Sequence, residues 1–105
     1  MLFVTYWKLN EEMSVKERQE VASMLVESGT FPPEDIEVIR WDATPDGWGV
    51  LVSEAASAED IIQAIEMWRA PAPGFFEKTV TAPAQPVHEA IERTGELLAA
   101  LPSDD

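Results

Sequence analysis

With 105 residues, 46% of them hydrophobic, the chain is long enough for one domain and too apolar to stay disordered. Its 20 acidic and 7 basic residues give a net charge of −13, so neither nucleic acid nor an anionic membrane is an expected partner. The absence of cysteine excludes disulfides, thiol catalysis and thiolate metal sites, and one histidine with no calcium-type carboxylate loop leaves no metal site to expect.

Residues 2–9, LFVTYWKL, are aromatic and β-branched and predict a strand. The segment has no basic n-region and turns polar at once, so it does not read as a secretory signal, and the default location is cytoplasmic. Ser14-Val15-Lys16-Glu17 is a capping box opening a helix whose buried stripe is expected at Val21, Met24, Leu25 and Ser28, with Gly29 as its stop. Phe31-Pro32-Pro33-Glu34 reads as an extended connector. A second strand follows over 35–42 (DIEVIRWD), a turn at Pro45-Asp46-Gly47, and a third strand over 48–54 (WGVLVSE). Ser57-Ala58-Glu59-Asp60 caps a second helix, on which Ile61, Ile65 and Trp68 share one face. The run APAPG ends it, residues 75–82 (FFEKTVTA) predict a fourth strand, and Pro86 starts a last helix with an apolar stripe at Val87, Ile91, Thr94 or Gly95, Leu98 and Leu101.

The order β-α-β-β-α-β plus a helix is the ferredoxin-like α+β pattern, a single domain over 1–101 followed by a frayed acidic tail at 102–105. Both crossover helices then cover one face of an antiparallel sheet and leave the other bare. Phe3, Thr5 and Trp7, alternating with Leu2, Val4 and Tyr6, are the expected residues of the bare face. An aromatic face of that kind needs cover, and a short chain buries only a modest core by itself. A homodimer joined sheet to sheet, as a dimeric α/β barrel with a cavity in each half, is the economical solution.

The start MLFVTYWKL, the segments FPPEDIEVIRW and DGWGVLVSE and the close IEMW…FFEKTVTAP resemble the family known as domain of unknown function 3303, over roughly residues 1–83. The resemblance implies a ferredoxin-like fold related to dimeric α/β barrels and implies no settled activity. Many members carry histidine after the Arg-Trp pair, where this chain has Asp42. Related barrel families include cofactor-free monooxygenases, cyclases, isomerases and haem-degrading proteins, a range that prevents fold from choosing the chemistry.

Two tryptophans flank the turn in Arg40-Trp41-Asp42-Ala43-Thr44-Pro45-Asp46-Gly47-Trp48. A two-residue loop would put Trp41 and Trp48 on one face of the hairpin; a bulge at Gly47 would put them on opposite faces. Ligand contacts, if the protein has a small-molecule site, are expected at Trp7, Arg40, Trp41, Trp48 and Phe76, between the sheet and its covering elements. The competing reading makes the tryptophans packing residues, for which Trp41→Ala would cost ~3–5 kcal/mol. Arg40 and Asp42 share a strand face and would either orient a polar ligand or pair with each other. Glu54, Glu77 and Lys78 are further strand residues that could enter a cavity. His88 lies one position off the stripe of its helix, which suggests exposure. His88 and Asp42 are nonetheless the available candidates for catalysis. No phosphate loop, nucleophile elbow or nucleophile–base pair is visible, and no cofactor is expected. Two functional classes follow: a protein that binds a small hydrophobic molecule or acts as an accessory, and a cofactor-independent enzyme of monooxygenase, isomerase or cyclase type.

Overall fold

The structure, a computed structural model, describes residues 1–102. The chain runs β1 (Leu2–Leu9), α1 (Val15–Glu27), β2 (Ile36–Ala43), β3 (Trp48–Ala55), α2 (Ala58–Arg69), β4 (Phe76–Pro83) and α3 (Val87–Ala100). The four strands pair antiparallel in the order β2-β3-β1-β4, so the fold is ferredoxin-like α+β. The frayed tail expected at 102–105 lies, beyond Pro102, outside the described residues.

Local signals act largely as the residues dictate. The Ser14 hydroxyl accepts from the Glu17 amide at 3.1 Å and donates to the Glu17 carboxylate at 3.0 Å, closing the first turn of α1. Gly29 takes φ +77° just past its end. The expected cap of α2 is a correction: Ser57 is the N-cap, but its hydroxyl makes no bond to the helix. The Phe31–Pro32 peptide is cis.

The faces of β1 are the reverse of those expected. Phe3 and Thr5 are buried and Trp7 is half-buried on the helix side, against Leu25 of α1 and Ile61, Ala64 and Trp68 of α2. The open face carries Leu2, Val4 and Tyr6, with Val50 and Val52 of β3 and Val80 of β4 paired beside them. Alternation separates the two sets, but both are apolar, so alternation alone could not choose the face the helices cover. The neighbouring strand decides it. Across from Trp7 and Phe3 stand Gly49 and Ser53, small residues that make room under the helices, whereas Val50 and Val52 sit across from Tyr6 and Val4.

Two stripes also shift. On α1 the inward face runs Arg18, Ala22 and Leu25, with Met24 (49% exposed) and Ser28 turned to solvent. On α3 the apolar stripe exists but is covered by nothing: no residue of the helix is buried, and Val87, Ile91, Leu98 and Leu101 are all exposed. The helix extends the molecule to 64 × 29 × 20 Å, with a radius of gyration of 17.8 Å. A compact chain near this length has one of about 13 Å.

Candidate ligand cavity

Between the helix face of the sheet and α1 and α2 lies a cavity of about 380 Å³. That is room for roughly a dozen waters at ~30 Å³ each, within the usual range of small-molecule pockets. The sheet supplies its floor through Thr5, Trp7, Trp41, Leu51 and Thr79; α1 supplies Arg18, Gln19 and Ala22, and α2 supplies Ala64, Ile65 and Trp68. Phe31, Phe75 and Phe76 also line it.

Each aromatic position has a local cause. Trp7 pairs with Gly49 across β1 and β3, and its indole lies where a side chain at 49 would project. A residue with a Cβ there would strike both that ring and the Asp42 carbonyl, so glycine is what lets Trp7 lie flat on the sheet. The indole N–H of Trp7 is buried and meets no acceptor. Trp68 is 5% exposed and stands at the centre of an aromatic group. Its ring lies 5.3 Å from Phe31, 5.6 Å from Trp41 and 5.1 Å from Phe75. The core placement expected for Trp68 therefore holds, and the same ring lines the cavity.

The hairpin resolves the question of the two tryptophans. Ala43 pairs with Gly49, Thr44 donates its N–H to the Trp48 carbonyl at 2.8 Å, and Gly47 takes φ +79°. Pro45, Asp46 and Gly47 thus form a three-residue loop with a left-handed glycine at its end. With that parity Trp41 pairs with Leu51 on the helix face, and Trp48 falls on the open face, its ring 5.9 Å from Tyr6.

Of the five expected contacts, Trp7, Trp41 and Phe76 meet at the cavity, while Trp48 and Arg40 do not. Arg40 shares its strand face with Asp42 rather than Trp41, and the two form an exposed ion pair at 2.5 Å. The bond from Asp42, and then its charge, push the Arg40 pKa up. Asp42, a candidate for catalysis, is held in that exposed pair and is absent from the cavity lining. His88 is exposed on α3 and also lies outside the cavity lining. Glu54 pairs with the N-terminus at 3.0 Å and Glu77 with Lys8 at 3.2 Å; neither they nor Lys78 enter the cavity.

Phe31 and Arg18 are lining residues that the sequence reading missed. Phe31 sits in a connector, where no periodicity marks a side chain as inward. Arg18 was hidden by the choice of stripe: a face drawn through Ala22 and Leu25 instead of Met24 and Ser28 reaches it at i−4 and i−7. The threonine hydroxyls are already engaged, Thr5 with Thr81 at 2.9 Å and Thr79 accepting from Arg69 at 3.0 Å. Among the described residues no group of three His, Asp or Glu side chains is placed to hold a metal ion.

The family described as a domain of unknown function (DUF3303) matches residues 1–98, nearly the whole chain. The chain belongs to this family. The match reaches beyond β4 into α3, so the exposed helix is part of the DUF3303 unit. No curated protein matches the sequence. Among solved structures, a protein from Nitrosomonas europaea described as an antibiotic biosynthesis monooxygenase is similar in shape, with a TM-score of 0.49 and 15% identity over 81% of this chain and 98% of that one. At that depth a likeness says nothing about chemistry.

Proposed function

We propose that this DUF3303 protein binds a small hydrophobic molecule in the cavity between its sheet and helices, as a binding or accessory protein, and works as a homodimer. The lining carries the reading: it is aromatic and aliphatic almost throughout, and its one ionisable side chain is Arg18. A cofactor-independent enzyme of monooxygenase, isomerase or cyclase type would draw on an acid or base within reach of the bound molecule. Asp42 and His88, the two candidates, both lie outside the lining, so the geometry supports binding over acid–base chemistry.

The open sheet face supports the dimer. Leu2, Val4, Tyr6, Trp48, Val50 and Val52 form a continuous apolar surface that helices of the same chain do not cover. A second copy offers the same surface, and an isologous pairing would cover both at once.

The cavity is tested with N-phenyl-1-naphthylamine, a neutral dye that brightens in apolar sites. We expect it to brighten with the wild type and to lose most of that signal with Ala22→Phe, which puts a ring into the space. Undiminished brightening in that variant, with the fold intact by circular dichroism, would show that the dye sits elsewhere and would defeat the cavity reading.

A further inference from the structure

We propose that the ligand of this cavity is an anion, a flat hydrophobic carboxylate whose carboxyl group is gripped by Arg18. This rests on the cavity reading above and adds the chemical class of the molecule. Arg18 stands in the first turns of α1, a half-buried residue that lines the cavity. Its Nη1 donates to the Asn10 carbonyl at 2.9 Å and to the Met13 carbonyl at 2.7 Å. Those two bonds occupy both hydrogens of that nitrogen and lock the plane of the group. The edge left over is Nε with Nη2, whose N–H bonds run parallel and match the two oxygens of a carboxylate.

The position of Arg18 at an otherwise uncharged cavity makes that free edge informative. Arg18 is the one ionisable side chain among the residues that line the cavity. Lys8 and Arg40 each hold a carboxylate; Lys16, Arg18, Arg69, Lys78 and Arg93 have none within 4.0 Å among the described residues, and of these five only Arg18 lines the cavity. A guanidinium brought partly out of water beside an apolar wall loses hydration, and two neutral carbonyls offset that only in part. An anionic ligand completes it. The net charge of −13 opposes an incoming anion at long range, but salt screens that field beyond ~8 Å, whereas the contact at Arg18 is direct. The body of the ligand is set by the rings of Trp7, Phe31, Trp41, Trp68 and Phe76, which favour a flat conjugated skeleton over a flexible chain.

The test compares naphthalene-2-carboxylate with its neutral twin, naphthalene-2-carboxamide, by titration calorimetry at pH 7, on the wild type, Arg18→Lys and Arg18→Leu. We expect the acid to bind the wild type about tenfold or more tightly than the amide, as a bidentate charged pair should. Arg18→Lys keeps the charge and loses the fork, so it should weaken the acid and spare the amide. Arg18→Leu should make the two equal. If that variant does not fold, the wild-type ratio and the lysine variant decide. Equal binding of acid and amide to the wild type would overturn the role of Arg18 and leave the cavity reading standing. Binding of neither, in a protein that also fails to brighten the neutral dye, would bring down both. A dodecanoate arm separates the skeletons: tighter binding than naphthoate would overturn the flat-body part of the proposal.

Discussion

Trp41 and Trp68 touch at 5.6 Å yet carry different burdens, because one is 42% exposed and the other 5%. The loss of ~3–5 kcal/mol expected for emptying a large aromatic site belongs to Trp68→Ala. Trp41→Ala, at the rim of the same cluster, should cost less, about 2–3 kcal/mol, in proportion to the smaller area it removes from water. Urea unfolding of the two variants side by side checks the order, and equal losses would contradict it. Ser53 offers the opposite sign. It is fully buried between Phe3 and Val38 on neighbouring strands, and its hydroxyl has no partner. Removing an unsatisfied buried hydroxyl relieves a desolvation cost, so Ser53→Ala should raise stability by about 1 kcal/mol. A lowered urea midpoint would mean that the hydroxyl is bonded after all.

At the scale of elements, α3 is the one that its own chain does not explain. A helix of 14 residues is near the lower limit of independent stability in water, and none of its residues is buried. Its stripe of Val87, Ile91, Leu98 and Leu101 is the pattern of a helix meant to pack. In the proposed dimer the helix would find that packing on the second copy. Amides of residues 87–100 should therefore resist hydrogen exchange in the dimer and exchange quickly in Ile91→Glu/Leu98→Glu, while those of β1 and β3 stay protected in both. Equal protection of α3 in wild type and variant would detach the helix from the interface. The β2–β3 hairpin shows the opposite case, an element whose details follow from its turn. One glycine in the left-handed region sets a three-residue loop, and that parity sends Trp41 to the cavity and Trp48 to the open face.

For the whole molecule, the charge and the uncovered surfaces pull in opposite directions. Two copies at −13 each repel one another, while the apolar open faces and the α3 stripes favour association. Light scattering at micromolar concentration should give a dimer mass, and raising sodium chloride from 50 mM toward 1 M should strengthen the dimer as the repulsion is screened. Dissociation on adding salt would show instead that ion pairs hold the copies together. A monomer mass at every salt concentration would end the dimer proposal and leave the ferredoxin-like fold untouched.

The sequence by itself determined the elements and their order. Alternation in LFVTYWKL, the capping box at Ser14, the loop glycines and the proline stops are local signals, and each depends on neighbours a few residues away. Three members of the cavity, Trp7, Trp41 and Phe76, were legible because large aromatics on strands must face one layer or the other. Only the tertiary structure decided which layer. The covered face of β1 depends on Gly49 and Ser53 opposite it, more than forty positions along the chain. Arg18 became a site residue only through two carbonyls of the preceding loop, and Arg40 and Trp48 were lost to it through a register set at Gly47. Such long-range choices turn on small differences in volume and hydrogen bonding between distant segments, which no periodicity within one segment records.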